Sequence, residues 1–210
     1  MLLVEFEPAI DPIINARAIA LAHRIRDRAA SGILDVVPGY CTVGVHFDPL
    51  LTDLAALERT ISIDAVRLDE IDQSPDVHAI EIPVVYGGEA GPDLEKVAVF
   101  AGCTADEVIA RHAARTYRVY MLGFVPGFAY MGRVDASIAA PRHRVPRDRV
   151  PAGSVGIAGE QTGVYPVESP GGWQLIGRTT AVLFDPMRSP PNLLAPGGLV
   201  RFVPQGGLRL

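Results

Sequence analysis

Cysteine is scarce in this chain of 210 residues: Cys41 and Cys103 are its only thiols. Two cysteines cannot build a disulfide framework, and both read more simply as small buried hydrophobes. No apolar run approaches the ~20 residues a membrane span needs. The opening MLLVEFEP lacks a basic segment and a cleavage signal, so a soluble cytoplasmic protein with no membrane partner is expected. Positive charge is also short, at 19 Lys and Arg against 24 Asp and Glu. That net of −5 argues against a nucleic-acid partner. The basic residues are skewed to arginine, with Lys96 the one lysine, and no function follows from the skew. No G-x-x-x-x-G-K-[ST] loop is present, which excludes a Walker-type phosphate cradle. The five histidines show no metal-ligand spacing. Gly153-Ser154-Val155-Gly156 falls short of a nucleophile elbow, because Ala152 replaces the first glycine and a strand pattern follows where a helix is needed. His112, beside apolar residues on a helix face, reads as a structural histidine before it reads as an acid or base.

What is present is a folding composition, 49% hydrophobic and 20% charged, with length for one large or two small domains. Proline and glycine divide it unevenly. Residues 1–122 carry 7 Pro and 7 Gly, whereas the shorter 123–210 carries 11 and 14. These residues punctuate helices and make turns, so the front is expected to mix helix and strand and the back to be short strands. Asp11-Pro12 is a cap and first-turn pair, followed by Ile14, Ala18, Leu21 and Ile25 on one helical face. Cys41–Phe47 and His78–Tyr86 read as strands, Asp48-Pro49 as the start of a second helix reaching about Ile61, and Asp69–Asp76 as a polar break. Leu94–Ala101 and Ala105 to about Ala114 are further helices, the second opened by the Thr104–Glu107 capping box. Arg118–Phe124, Val155–Ala158, Val164–Val167, Trp173–Gly177, Ala181–Phe184 and Leu199–Val203 are predicted strands. The expected class is α+β: a ferredoxin-like α+β domain over 1–80, then a closed β unit over 81–210.

Gly123 to Thr179 concentrates residues that a plain barrel does not need. Phe124, Phe128 and Tyr130 surround the Pro126-Gly127 turn. Pro141–Arg149 holds four arginines in nine residues, kept extended by prolines, so they cannot all share one face. That run is either a solvated loop or an anion site. Glu160, Gln161 and Thr162 place a carboxylate, an amide and a hydroxyl on one turn. Phe128, Tyr165 and Trp173 are candidates for the apolar wall of a pocket, with Gln174 and Arg178 beside glycine turns.

The segments GFVPGFAYMG, PRHRVPRDRVPAGSVGIAGEQTGVYP and SPGGWQLIGRT closely resemble the family called allophanate hydrolase subunit 1, or carboxyltransferase domain subdomains C and D, which includes the B-type subunits of 5-oxoprolinase and Kip-type kinase inhibitors. DVVPGY, VHFDP and IPVVYGGEAGPDLEKVA resemble its earlier blocks. Ala129 and Met131 depart from the usual Pro and Leu. The resemblance implies that the β unit is a cyclophilin-like barrel. It also implies that the chain works with a sibling, of the kind called allophanate hydrolase subunit 2 or the C-type subunit of 5-oxoprolinase. The activity it implies is that of an ATP-dependent amide or lactam hydrolase acting on a small amide. The leading reaction is 5-oxoproline to glutamate, with ATP and Mg2+ as cosubstrate, the boundary between subunits being one place for it. Glu160, Gln161 and Arg178 are then the catalytic candidates. Arg142, Arg147, Thr162, Tyr165, Trp173, Gln174 and Phe128 are the substrate-binding candidates. A regulatory protein inhibiting a sensor histidine kinase, or a carboxyltransferase-type subunit of urea or allophanate metabolism, is the alternative.

Overall fold

Asp11 starts the first helix as its sequence suggests: its Oδ1 accepts from the N–H groups of Ile13 at 2.8 Å and Ile14 at 3.1 Å, and Pro12 spends its missing donor in the first turn. In the computed structural model, which describes residues 1–70 and 78–206, the chain forms two compact units, Met1–Val77 and His78–Leu210. Most of the polar break expected over Asp69–Asp76 lies outside the described residues.

The first unit runs β1 (Leu2–Glu5), α1 (Pro12–Asp27), β2 (Ile33–Pro38), β3 (Thr42–Phe47) and α2 (Leu54–Val66). Its three strands pair antiparallel in the order β1-β3-β2. Ala18, Leu21 and Ile25 of α1 are buried with Val36, Val43, Val45 and Ile61, which is the apolar face the spacing predicts. Two strands escape the sequence pattern. β1 is four residues with alternating partial burial, and β2 is an edge strand that ends on Pro38 and carries an irregularity between Ile33 and Asp35, where proline is tolerated. The second helix also starts later than Asp48-Pro49. Asp48 makes a turn instead, its Oδ1 accepting from Leu50 at 2.9 Å, and Asp53 is the cap, accepting from Ala56 at 3.1 Å. Both aspartates have the chemistry for either role, so composition does not separate them.

The second unit contains β4 (Ile80–Tyr86), α3 (Leu94–Ala101), α4 (Ala105–Ala113), β5 (Thr116–Leu122), β6 (Ala129–Gly132), β7 (Arg147–Val150), β8 (Ser154–Ala158), β9 (Gln161–Val164), β10 (Ser169–Gly171), β11 (Gln174–Arg178) and β12 (Leu199–Pro204). Seven of these strands close a barrel in the order β11-β4-β12-β5-β6-β9-β8. β4 and β12 run parallel, and β8 closes the ring on β11. Closure removes the unpaired edges that an open sheet would expose. The interior is filled by Ile82, Val84, Val119, Met131, Val155, Ile157, Ile176, Val200 and Phe202. The Thr104–Glu107 capping box forms as predicted. The predicted strand Ala181–Phe184 does not; Phe184 makes an isolated bridge to Asn192. The strand expected at Val164–Val167 lies earlier, at Gln161–Val164, because Pro166 cannot donate to a ladder. β7 and β10 form a separate two-stranded sheet. Cys41 and Cys103 are free thiols, both half-buried. No described helix is long and apolar enough to cross a membrane.

Gly91 sits where the loop before α3 touches β11: a Cβ there would stand 2.1 Å from the Ile176 carbonyl oxygen and 2.8 Å from the Gly177 nitrogen. Gly91→Ala is therefore expected to lower stability by about 1–3 kcal/mol through overpacking, read as a lower urea midpoint at unchanged slope.

Candidate functional site

Val125-Pro126-Gly127-Phe128 is a type II turn. Pro126 supplies the fixed φ, Gly127 takes φ +82°, and the Phe128 N–H donates to the Val125 carbonyl at 3.0 Å. The turn joins β5 to β6 and puts three aromatics together. Phe128 is the hub: it meets Tyr130, Tyr165, Trp173 and Phe124 edge-on, at centroid distances of 4.8, 5.2, 5.4 and 5.6 Å, the geometry that aligns positive ring edges with negative faces. Gly163 makes this packing feasible, since a Cβ would lie 3.1 Å from the Trp173 ring and 3.2 Å from that of Phe128. These rings, with Arg142, Pro146 and the Pro170–Gly172 turn, line a cavity of about 290 Å³. Phe124, at its mouth, is 58% exposed and holds φ +69°, a backbone conformation uncommon for a bulky residue.

Arg142 enters from the arginine-rich segment. Its guanidinium lies over Gly172, whose Cβ position would be 3.4 Å from Nη2. Burial raises the pKa of the Tyr130 and Tyr165 hydroxyls, and the Arg142 charge draws both partly back. Among the described residues Arg142 forms no salt bridge, and its three neighbours in the run diverge from it. Arg149 pairs with Glu168 through Nε at 3.0 Å and Nη2 at 3.1 Å. Arg147 donates from Nη2 to both oxygens of Asp93, at 2.8 and 2.6 Å. Arg144 is exposed.

Asp93 is fully buried. Besides Arg147 it accepts from Lys96 at 3.0 Å, from the Leu175 N–H at 2.9 Å and from His143 Nε2 at 3.3 Å. Burial alone would raise its pKa; these bonds outweigh burial and hold it below the ordinary carboxylate value. The cluster ties the 141–147 segment to α3 and β11. Gln174 adds a tie, donating from Nε2 to the Pro141 carbonyl at 2.8 Å.

The structure thus brings Phe128, Arg142, Tyr165 and Trp173 into one cavity, and places the other predicted site residues elsewhere. Arg147 and Gln174 hold the segment that carries Arg142. Glu160 is exposed on the β8–β9 turn and pairs with Arg133 at 3.2 Å, and Gln161 begins β9. Arg178 donates from Nε to the Ala152 carbonyl at 3.0 Å and lines a different cleft of about 770 Å³, with Gly87–Ala90 and Thr179–Val182. Thr162 is fully buried inside the barrel, and its role there is to complete a chain of hydrogen bonds. Its hydroxyl donates to the Gly156 carbonyl at 3.1 Å, so His112 Nε2, 2.8 Å from Thr162 Oγ1, carries the proton and donates. His112 Nδ1 then accepts from the Tyr86 hydroxyl at 2.8 Å. Burial depresses the His112 pKa to about 3, which fixes the neutral ring that this chain requires. The structural reading of His112 holds. Sequence reasoning passed over Asp93 and His143, whose partners are remote in sequence, and it left Tyr130 and Phe124 as aromatics near a turn.

The fold defines the class as a closed seven-stranded β-barrel protein carrying a separate unit of helices and strands. The family described as carboxyltransferase domain, subdomain C and D, matches residues 1–194, and the chain belongs to it. It is 42% identical to the B subunit of 5-oxoprolinase from Bacillus subtilis (strain 168), over 96% of this chain and 88% of that protein. To the corresponding B subunit from Escherichia coli O157:H7 it is 44% identical, over 96% and 91%. The crystal structure of TTHA0988 superposes at a TM-score of 0.87 with 38% identity, covering 99% of this chain and 40% of that one, so this chain spans two fifths of its length. The Kluyveromyces lactis urea carboxylase, at 21% identity and a TM-score of 0.75, is covered over 21% of its length by 97% of this chain, and shares the fold.

Two expectations follow. The unfolded state binds a proton at a histidine near pH 6.5 that folded His112 refuses until about pH 3, so this contribution is present above pH 6.5 and is lost as pH falls between those values. The His112 ring resonances should stay flat from pH 8 to 5 in NMR titration, and the urea midpoint should fall over that range. Asp93→Ala, which strands Arg147 and His143, is expected to cost about 3 kcal/mol in urea unfolding.

Proposed function

We propose that this chain is the B-type subunit of an ATP-dependent 5-oxoprolinase, holding the lactam substrate in the aromatic cavity while a sibling protein completes the enzyme. The observation that carries this reading is Arg142, which bears no carboxylate partner at the mouth of a cavity of about 290 Å³. The cavity is of the size for a five-membered ring with one carboxylate. In this reading Arg142 takes the substrate carboxylate in its planar fork, the substrate ring lies against Phe124 and Tyr130, the more open rings of the cavity, and the buried Phe128, Tyr165 and Trp173 back them. The 42% and 44% identity to the B subunits of two bacterial 5-oxoprolinases supports the substrate class.

The described residues contain no group of three His, Cys, Asp or Glu side chains able to hold a metal by themselves, and the aromatic cavity and the Arg178 cleft each offer a single guanidinium to a polyphosphate. In our reading ATP and Mg2+ sit at the boundary between subunits, with phosphate- and metal-binding groups from the sibling, and we assign this chain no step on the nucleotide. Glu160, Gln161 and Arg178 stand outside the aromatic cavity and become catalytic only if assembly brings substrate to them. The order β1-β3-β2 with helices after β1 and β3 supports a ferredoxin-like reading of the first unit, and the closed ring of seven strands a cyclophilin-like reading of the barrel.

The test is 5-oxoproline-dependent ADP release from reconstituted subunits. Release is expected with this chain present and absent when it is omitted. Arg142→Ala should raise KM for 5-oxoproline about ten- to a hundredfold with a smaller change in kcat. An assembled complex that releases no ADP, or whose KM ignores Arg142, overturns the reading.

A further inference from the structure

Phe124 is held in a conformation that its residue type disfavours. The Val125 N–H donates to the Gly123 carbonyl at 2.9 Å across a residue with φ +69°, the rarer and more strained of the two γ-turn forms. Such strain persists only where neighbouring bonds enforce it. Here the Gly123 N–H donates to the Phe128 carbonyl at 3.1 Å and the Phe128 N–H to the Val125 carbonyl at 3.0 Å, so the hairpin joining β5 to β6 encloses the turn. The outcome is the position of one ring. Phe124 meets Phe128 at an interplanar angle of 83°, yet more than half of the residue stays exposed. On one side it lines the aromatic cavity with Tyr130 and Arg142. On the other it lines an open recess of about 340 Å³, with Leu122, Phe184 and Asn192. Among the described residues it is the one that borders both.

We propose that Phe124 sets the ring size of the substrate: it is the partition that confines the aromatic cavity to about 290 Å³, and it selects a five-membered lactam carboxylate over the six-membered homologue. The proposal rests on the reading that 5-oxoproline binds beside Arg142. With the carboxylate anchored on the guanidinium, a larger ring needs a wall that yields. Phe128, Tyr165 and Trp173 are buried and packed edge-on against one another, and a close-packed interior gives way only at a cost. Behind Phe124 lies the recess and not the core. The enforced turn fixes where that side chain starts, and the edge contact with Phe128 holds its ring. One extra methylene against an apolar wall is worth about tenfold or more in discrimination.

The experiment is ADP release from the reconstituted subunits, driven by 5-oxoproline or by 6-oxopiperidine-2-carboxylate, which has one more ring methylene. In the wild type the ratio of the two kcat/KM values should favour 5-oxoproline by about tenfold or more. Phe124→Gly removes the ring and suits a positive φ. It should cut that ratio about tenfold, raising KM for 5-oxoproline and lowering it for the homologue, with a urea midpoint close to that of the wild type. Phe124→Ala should change the ratio in the same direction, and Phe124→Tyr, which keeps a ring, should retain the preference. A wild-type complex without 5-oxoproline-dependent release, or with a KM that ignores Arg142, overturns the underlying reading and this proposal with it. A KM that depends on Arg142, together with a wild type that shows no preference or a Phe124→Gly variant that keeps it, overturns this proposal alone.

Discussion

The buried carboxylate of Asp93 is the constraint on which the barrel's cavity depends. A charge with no exposure to water must be paired and fully hydrogen-bonded or it will not stay charged. Asp93 meets that demand by drawing Lys96 from its own helix, the Leu175 N–H from β11, and His143 and Arg147 from the proline-rich segment. That segment has little regular structure before β7 and would otherwise have no reason to lie at a defined height over the aromatic rings. The His143 N–H, donating to the Gly172 carbonyl at 2.6 Å, and Gln174, reaching the Pro141 carbonyl, then set it against the Gly171-Gly172 turn. Arg142 is placed by what its neighbours bind, and it remains free to bind something else.

The barrel interior solves a different polar problem by the opposite route. His112 is as buried as Asp93, but it is neutral, so it needs two hydrogen bonds of opposite sense and no counter-charge. Tyr86 donates on one side, Thr162 accepts on the other, and Gly156 takes the last proton in the chain. Stacking on Phe202 at 4.7 Å covers the ring. The consequence is directional: each group has one usable orientation, so the network specifies how β4, β8, β9 and α4 meet, a property that apolar residues of equal volume lack. A polar chain so completely satisfied has no free donor or acceptor to offer a substrate.

The helices and the glycine-rich barrel were legible because their signals are local. Asp11-Pro12 and the Thr104–Glu107 box act within one turn, and the type II turn at Pro126-Gly127 is written in four residues. Strands β6, β7 and β10 were not legible: they are only three or four residues long, too short for alternation to show. Within the site, the aromatic wall could be read because Phe128, Tyr165 and Trp173 are large and cluster between turns. Thr162 could not. A hydroxyl beside Glu160 and Gln161 looks like a site on a turn, but β9 pairs with β6 and β8 and turns that side chain into the core. Asp93 was hidden for a related reason. An aspartate directly before a helix reads as its cap, yet its side chain makes no capping bond and its decisive partners are 50, 54 and 82 residues away.

The four arginines of the 141–149 segment show why residue type alone leaves function undetermined. All carry the same guanidinium, and extended backbone points them in different directions. Arg149 is spent on the exposed carboxylate of Glu168, a pair screened by solvent and worth little. Arg147 is spent on a buried one, where the pairing is structural and its loss expensive. Arg144 faces water. Arg142 faces a cavity of aromatic rings whose hydroxyls already register its charge, and no described carboxylate neutralises it. A guanidinium keeps its charge at any physiological pH; Arg142 is as exposed as Arg144, and what sets it apart is the cavity it lines. The attraction for an anion is therefore a standing property of that position, and it comes from the carboxylates that occupy the other arginines as much as from Arg142 itself.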